Sequence, residues 1–179
     1  MRRQAELDVL DEDDYMTLVR VAAHSPSPCR DRALVHLFWH LAPPVRRVLD
    51  LRLEDFRADE GQIRWGDRPG VAAPTSLLQA LGTYVRVERI APRGVPYLFC
   101  GRHGRKMDLS EMAGFFRRLS RTAGFPVDPL TLRRAAFERA LRNDPARALG
   151  VLRTHAQPTG GPSEEAPAPE AACSLPSST

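Results

Sequence analysis

Leu51-Arg52-Leu53-Glu54-Asp55-Phe56-Arg57-Ala58-Asp59-Glu60-Gly61-Gln62-Ile63-Arg64-Trp65 is where the chain changes its periodicity. A helix that starts at Val45 runs out at Leu51. Asp59-Glu60-Gly61 then supplies a turn, and residues 62–65 read as a short strand. Helical patterns surround this stretch on both sides, so it marks a small sheet set among helices.

Working backward, Asp11 caps a helix to about His24, with Glu12, Asp13 and Asp14 favourable in its first turn. Tyr15, Leu18, Val19 and Ala22 form its apolar stripe. Ser25-Pro26-Ser27-Pro28 breaks the pattern, and a strongly apolar helix follows over residues 30–41, with Leu34, Leu37 and Phe38 as core candidates. Pro43-Pro44 interrupts it.

Working forward, Pro74 suits the first turn of a helix to about Arg89, with Leu77, Leu78, Leu81, Tyr84 and Val85 at helical spacing. Residues 97–100 form a second extended piece, closed by Gly101 and Gly104, expected to join residues 62–65 in the sheet. Ser110 caps a helix to Ala123, ended by Gly124. Met112, Phe115, Phe116 and Leu119 face inward there, while Arg117, Arg118 and Arg121 face outward or sideways. Residues 131–142 are helical, and Asp144-Pro145 opens a last helix to about Arg153. The fold class is mainly α with a small antiparallel β-sheet, in one domain over residues 1–155. Residues 156–179 are rich in Pro, Ser, Ala, Gly and Glu, with one Leu and no aromatic residue. That composition cannot offset its ordering entropy, and the segment is expected to be a disordered tail.

Composition bounds the function. With 42% apolar residues the 179-residue chain can bury a core. No apolar run approaches a membrane span and no signal peptide is visible, which points to the cytoplasm, on the nucleoid if the chain holds DNA. Cys29, Cys100 and Cys173 are widely spaced and suit neither a disulfide framework nor a zinc site. His36 and His40 stand at i, i+4 without the glutamate of a metalloprotease motif and read as helix-packing residues. Neither a metal nor a cofactor is called for. The net charge of +4 rises to +7 over residues 1–155, because the remainder holds Glu164, Glu165 and Glu170 and no base. That suits a polyanionic partner. The bias toward arginine, with Lys106 the only lysine, reflects codon usage in part, so the charge alone is weak evidence.

Taken in order, these segments resemble the catalytic domain of the tyrosine recombinases, or phage-type integrases. Leu10-Asp11-Glu12-Asp13-Asp14 resembles that family's Leu-Thr-x-x-Glu start, and Arg30-Asp31-Arg32-Ala33-Leu34 its Arg-Asp-x-Ala-Leu helix opening. Leu51–Phe56 is similar to the segment entering the sheet, and Gly61-Gln62-Ile63-Arg64-Trp65 to the second strand. Leu98-Phe99 with Arg102-His103-Gly104-Arg105 resembles the Leu-Phe…Gly segment, and Ala123-Gly124-Phe125 the Ala-Gly-Ile/Phe helix ending. Leu130-Thr131-Leu132-Arg133-Arg134 stands where His-x-Leu-Arg-His belongs.

The resemblance implies a tyrosine nucleophile, two phosphate-binding arginines, a hairpin lysine and histidines. Its first arginine falls on Pro44, with Arg46 nearby only if the alignment slips. The glutamate of the same motif falls on Arg47. The lysine would lie between Gly66 and Pro74, where only Asp67 and Arg68 are charged, and arginine holds its proton too tightly to act as a lysine acid. Leu130 and Arg134 replace histidines, while Arg133 survives as the second arginine. His155 is a vestige of a further histidine if a few residues are inserted before it. No tyrosine follows Tyr97. A nucleophile borrowed from another subunit would not restore the first arginine, the lysine or the histidine. The family's separate N-terminal clamp domain is expected to be absent, since about ten residues precede the first helix.

The expected function is therefore binding of duplex DNA without cleavage. Arg102, Arg105, Lys106, Arg117, Arg118, Arg121, Arg133 and Arg134 are the expected DNA-binding residues. The helix after Ser110 corresponds, by resemblance, to one laid in the major groove. A degraded mobile-element remnant and a protein-interaction module without DNA are the alternatives.

Overall fold

A computed structural model of the chain describes residues 9–143, and every structural statement below concerns those residues. The helix Asp144-Pro145 was expected to open, His155 and the segment 156–179 lie outside them.

α1 (Glu12–Ala23) begins with a reciprocal cap. The Asp11 carboxylate accepts the Asp14 N–H at 2.9 Å, and the Asp14 carboxylate accepts the Asp11 N–H at 3.2 Å. Tyr15, Leu18 and Ala22 are buried, and Val19 sits at the edge of the stripe. α2 (Pro28–Leu41) starts two residues before the expected position, because the fixed φ of Pro28 suits a first helical turn. Its residues 33–39 are all buried, as a helix packed by α1, α4 and α6 on several sides requires. Ala42 ends it in the left-handed region, at φ 47°. Pro43 and Pro44 then set the entry to α3 (Val45–Asp50).

The sheet is antiparallel, in the order β1 (Phe56–Arg57), β2 (Gln62–Ile63), β3 (Val71–Ala72). Phe56 pairs with Ile63, and Ile63 with Val71. Ile63 is the fully buried residue of the three strands. The small sheet is as expected, but its membership is not. Residues 97–100 form no strand of it. Tyr97 makes a single bridge to Arg52, with the Leu98 N–H donating to the Leu51 carbonyl at 2.7 Å. This segment pairs with the chain entering β1 rather than with β2, whose far edge is taken by β3.

α4 (Thr75–Thr83) continues into a wider π-helical turn over Tyr84–Glu88. Arg89 then acts as a clamp. Its guanidinium donates to the carbonyls of Val95 (2.9 Å), Tyr97 (2.7 Å) and Leu98 (3.1 Å). Carbonyls with no ladder partner are thereby satisfied. The Tyr84 hydroxyl accepts the Cys100 N–H at 3.0 Å, and Cys100 bridges to Lys106.

α5 (Leu109–Ala123) is capped by Asp108 rather than Ser110. Asp108 and Glu111 exchange side chain–backbone hydrogen bonds of 2.8 and 3.1 Å, so the box Asp-x-x-Glu outcompetes the serine. Gly124 closes it at φ 83°. Met112, Phe115, Phe116 and Leu119 are buried as expected, and Phe116 meets Phe38 of α2 edge to face at 5.1 Å. Each buried phenylalanine is worth about 2–3 kcal/mol. α6 (Pro129–Asn143) also starts two residues early. Asp128 accepts the Thr131 N–H at 2.7 Å, which fixes its first turn. Leu132, Ala135 and Ala136 are its buried residues, and the helix packs on α2. No described helix is long and apolar enough to cross a membrane.

Candidate nucleic-acid interface

Two grooves rich in arginine adjoin where α3 meets α5. The first, of about 700 Å³, runs from the end of α3 along the sheet and is lined by Arg47, Arg52, Arg57, Arg64 and Arg68. Its carboxylates are largely occupied. Asp50 pairs with Lys106 at 2.5 Å, Glu54 with Arg52 at 3.4 Å, and Asp55 accepts the Arg52 N–H at 2.9 Å. Among the described residues, Arg47 and Arg64 pair with no carboxylate. Arg47 is half-buried, and its pKa is lowered by that burial and by the neighbouring Arg68 charge. A partly desolvated guanidinium facing a second one favours an anion between them.

The second groove, of about 720 Å³, lies between the start of α2 and α5. Arg30, Arg105, Arg117, Arg118 and Arg121 line it, with Asp108 and Glu111. Both of those carboxylates serve the α5 cap. Lys106 joins the two grooves, since its partner Asp50 lines the first and its neighbour Arg105 lines the second.

The expected DNA-binding residues separate on this map. Arg105, Arg117 and Arg121 are exposed along the second groove. Arg118 is turned partly inward, 3.6 Å from the buried Asp31 carboxylate, which Arg30 also holds at 2.9 Å. That bridge accounts for the Arg30-Asp31 pair in the sequence: it ties α2 to α5 from inside. Lys106 is half-exposed, its Nζ held by Asp50 and lying 4.5 Å over the Tyr97 ring. Arg102 begins the turn Arg102–Gly104 ahead of α5. Arg134 is exposed on α6, and Arg133 is half-buried beside it. The Nε of Arg133 is shut off from solvent with no hydrogen-bond partner, and the residue makes no ion pair among the described residues.

Arg47, Arg52, Arg57, Arg64 and Arg68 of the first groove and Arg30 of the second were not among the expected binding residues. The strand register was the missing signal: pairing Arg57 with Gln62 brings residues on either side of the Asp59-Glu60-Gly61 turn together.

The groups of the implied cleavage chemistry can be placed too. Pro44 caps α3, and Leu130 is 70% exposed at the start of α6. Tyr15 and Tyr84 are buried, and burial pushes both phenols up to about 12. Tyr15 lies stacked on Trp39 at 4.6 Å, with its hydroxyl 2.7 Å from His36 Nδ1 and 3.3 Å from His40 Nε2. Burial and the Arg32 charge lower the His36 pKa to about 4, so the ring is neutral and the phenol donates to it. The two histidines pack α1 against α2, as their spacing suggested. No group of three or more metal-ligating side chains occurs among the described residues.

No protein-family model matches the chain, and no curated protein does. Solved structures do. A crystal structure of XerA recombinase superposes with a TM-score of 0.71 at 24% identity, over 87% of this chain and 59% of that one. The Tn1549 transposon integrase, solved in complex with circular intermediate DNA, gives 0.70 at 12% identity, over 88% of this chain and 63% of that one. The chain therefore spans about 60% of the length of these relatives. At these identities the likeness is one of fold: the described residues adopt a recombinase catalytic-domain-like architecture.

Proposed function

We propose that this chain binds duplex DNA through its phosphates and does not cleave it. The observation that carries the reading is the pair of adjoining arginine grooves whose local carboxylates, Asp67 of the first groove apart, already have partners. Arginine forks offer paired donors to phosphate oxygens. Arg133, half-buried with an Nε that has no partner, lines neither groove and is a separate candidate contact. The fold likeness to an integrase solved on DNA supports the same reading. Absence of cleavage is supported by Pro44 and Leu130 at the positions of an arginine and a histidine. It is also supported by the burial of Tyr15 and Tyr84, whose phenols are hard to ionise, against a reaction that needs an accessible oxygen nucleophile; the third tyrosine, Tyr97, is half-buried with the Lys106 ammonium over its ring.

Fluorescence anisotropy of a labelled duplex at two salt concentrations tests the binding. A Kd on the order of micromolar is expected at low salt, with a slope corresponding to about four to six phosphate contacts. Arg133→Ala, compared at equal thermal stability, is expected to weaken binding. Supercoiled plasmid incubated with the protein and run on a denaturing gel tests the absence of cleavage. A covalent adduct overturns that part of the proposal.

A protein-interaction role without DNA has one observation in its favour. Val87 (71% exposed) and Ile90 (83% exposed) stand in solvent, and Ile90 lines a groove with Pro92 and Cys100. Lack of any binding at low salt would favour it.

A further inference from the structure

We propose that the groove along the sheet takes an unpaired nucleotide of a DNA strand, its base stacked on Trp65 and its phosphate held by Arg47 and Arg68. The inference rests on the DNA-binding reading for its polyanion and adds what the base does. Trp65 lines that groove among the arginines. It is half-buried and packs in part against the hydrophobic core, which holds the indole in place. Among the described residues its ring has no aromatic, cationic or hydrogen-bond partner. The other tryptophan differs on each count: Trp39 is 1% exposed, stacked on Tyr15 and covered by Arg139. A fixed, partly exposed indole in an arginine-lined groove is a platform on which nucleobases stack whatever their sequence.

Charge separates this groove from its neighbour. The groove between the start of α2 and α5 sets five arginines against Asp108 and Glu111, a formal +3. The sheet groove sets five arginines against Asp50, Glu54, Asp55 and Asp67, a formal +1. A continuous row of duplex phosphates gains less there, and Asp67 stands exposed without a partner among the described residues. One phosphate is still well served, because Arg47 has no carboxylate partner among those residues and lies close enough to Arg68 to feel its charge. Gly66, at φ 64°, turns the chain directly after Trp65, so Trp65 and Arg68 flank one turn on the same groove. At about 700 Å³ the groove is on the scale of small-ligand clefts, roughly 300–1,000 Å³. A paired base is enclosed in its own stack and does not reach Trp65, so the site selects the unpaired strand.

The test uses the full chain and two oligomers of about ten nucleotides, oligodeoxythymidylate and its abasic counterpart, which has the same phosphates and no bases. Trp39 is enclosed, so quenching of tryptophan fluorescence by the thymine oligomer reports on Trp65. Quenching is expected with the thymine oligomer alone, together with an affinity about tenfold above that of the abasic one at equal salt. Trp65→Leu is expected to bring the ratio of the two affinities to about one, and Trp65→Phe, which keeps a ring on the core, to retain most of it. Equal affinities in the unaltered protein, a ratio unchanged in Trp65→Leu, or no binding of either oligomer overturns the stacking and leaves duplex binding to its own anisotropy measurement. A thymine oligomer bound with quenching, beside a duplex that is not bound at low salt, upholds the stacking and removes the duplex reading instead.

Discussion

On the side of the molecule where α6 packs against α2, arginine is drawn inward. Arg139 lies 3.5 Å over the Trp39 ring and donates to the Trp39 carbonyl, and burial lowers its pKa to about 10. On the side where α5 borders α2 and α3, Arg117 and Arg121 stand exposed along a groove with no carboxylate within ion-pair distance among the described residues. The same residue type serves as mortar in one place and as a solvent-facing charge in the other. An arginine count therefore says little about which guanidiniums are available to an anion; the partners of each guanidinium say more.

The comparison breaks first if the inward arginines prove dispensable. Arg89→Ala removes the clamp on three carbonyls and is expected to destabilise the fold by about 3–5 kcal/mol, since charged hydrogen bonds contribute about 1.5–3 kcal/mol each and the carbonyls are left wanting. Urea denaturation measures this, and a loss below about 1 kcal/mol would mean water replaces the guanidinium without cost. Arg139→Ala is expected to cost about 2 kcal/mol, through lost stacking on Trp39 and the lost bond to its carbonyl.

The buried polar cluster of Tyr15, His36 and His40 sharpens the contrast through pH. His36 has a folded pKa of about 4 against an unfolded value near 6.5, so the unfolded state binds the proton more readily. Stability is fully present above about pH 6.5 and is lost as pH falls toward about 4. The loss expected is about 1–3 kcal/mol. Denaturation midpoints taken at pH 7 and pH 5 check it, and a His36→Gln variant should flatten the difference.

How much of this could be read from the chain differs by level. The helices were legible because caps and stripes are local: Asp11 with Asp14, and Met112 with Phe115, Phe116 and Leu119, announce themselves within one or two turns. α5 starts ahead of Ser110 because the Asp108–Glu111 capping box, two residues upstream, takes the N-cap. The sheet membership was missed because β3 is two residues long, and its pairing is set by register with β2 rather than by its own pattern. The sequence named some of the groove-lining arginines and not others. Arg105, Arg117 and Arg121 line a groove, but the inward turn of Arg118 depends on Asp31, 87 residues away in sequence and on another helix. The arginines along the sheet groove likewise converge only once the hairpin has paired.

The smallest effects on stability belong to the outward arginines, and there the contrast is most open to measurement. Arg117→Ala and Arg121→Ala each remove an exposed side chain that pairs with no carboxylate among the described residues, so each is expected to leave stability within about 0.5 kcal/mol. Their effect should appear instead in the salt dependence of DNA binding. A lost phosphate contact lowers the slope of log K against log salt by about one. The double variant should then lose up to roughly two contacts, since α5 places the two residues one turn apart on the same groove. A double variant that unfolds early would place these arginines with Arg89 and Arg139 among the structural ones. A double variant that is stable and keeps its full salt slope would move the DNA contact away from α5, onto the sheet groove lined by Arg47, Arg64 and Arg68.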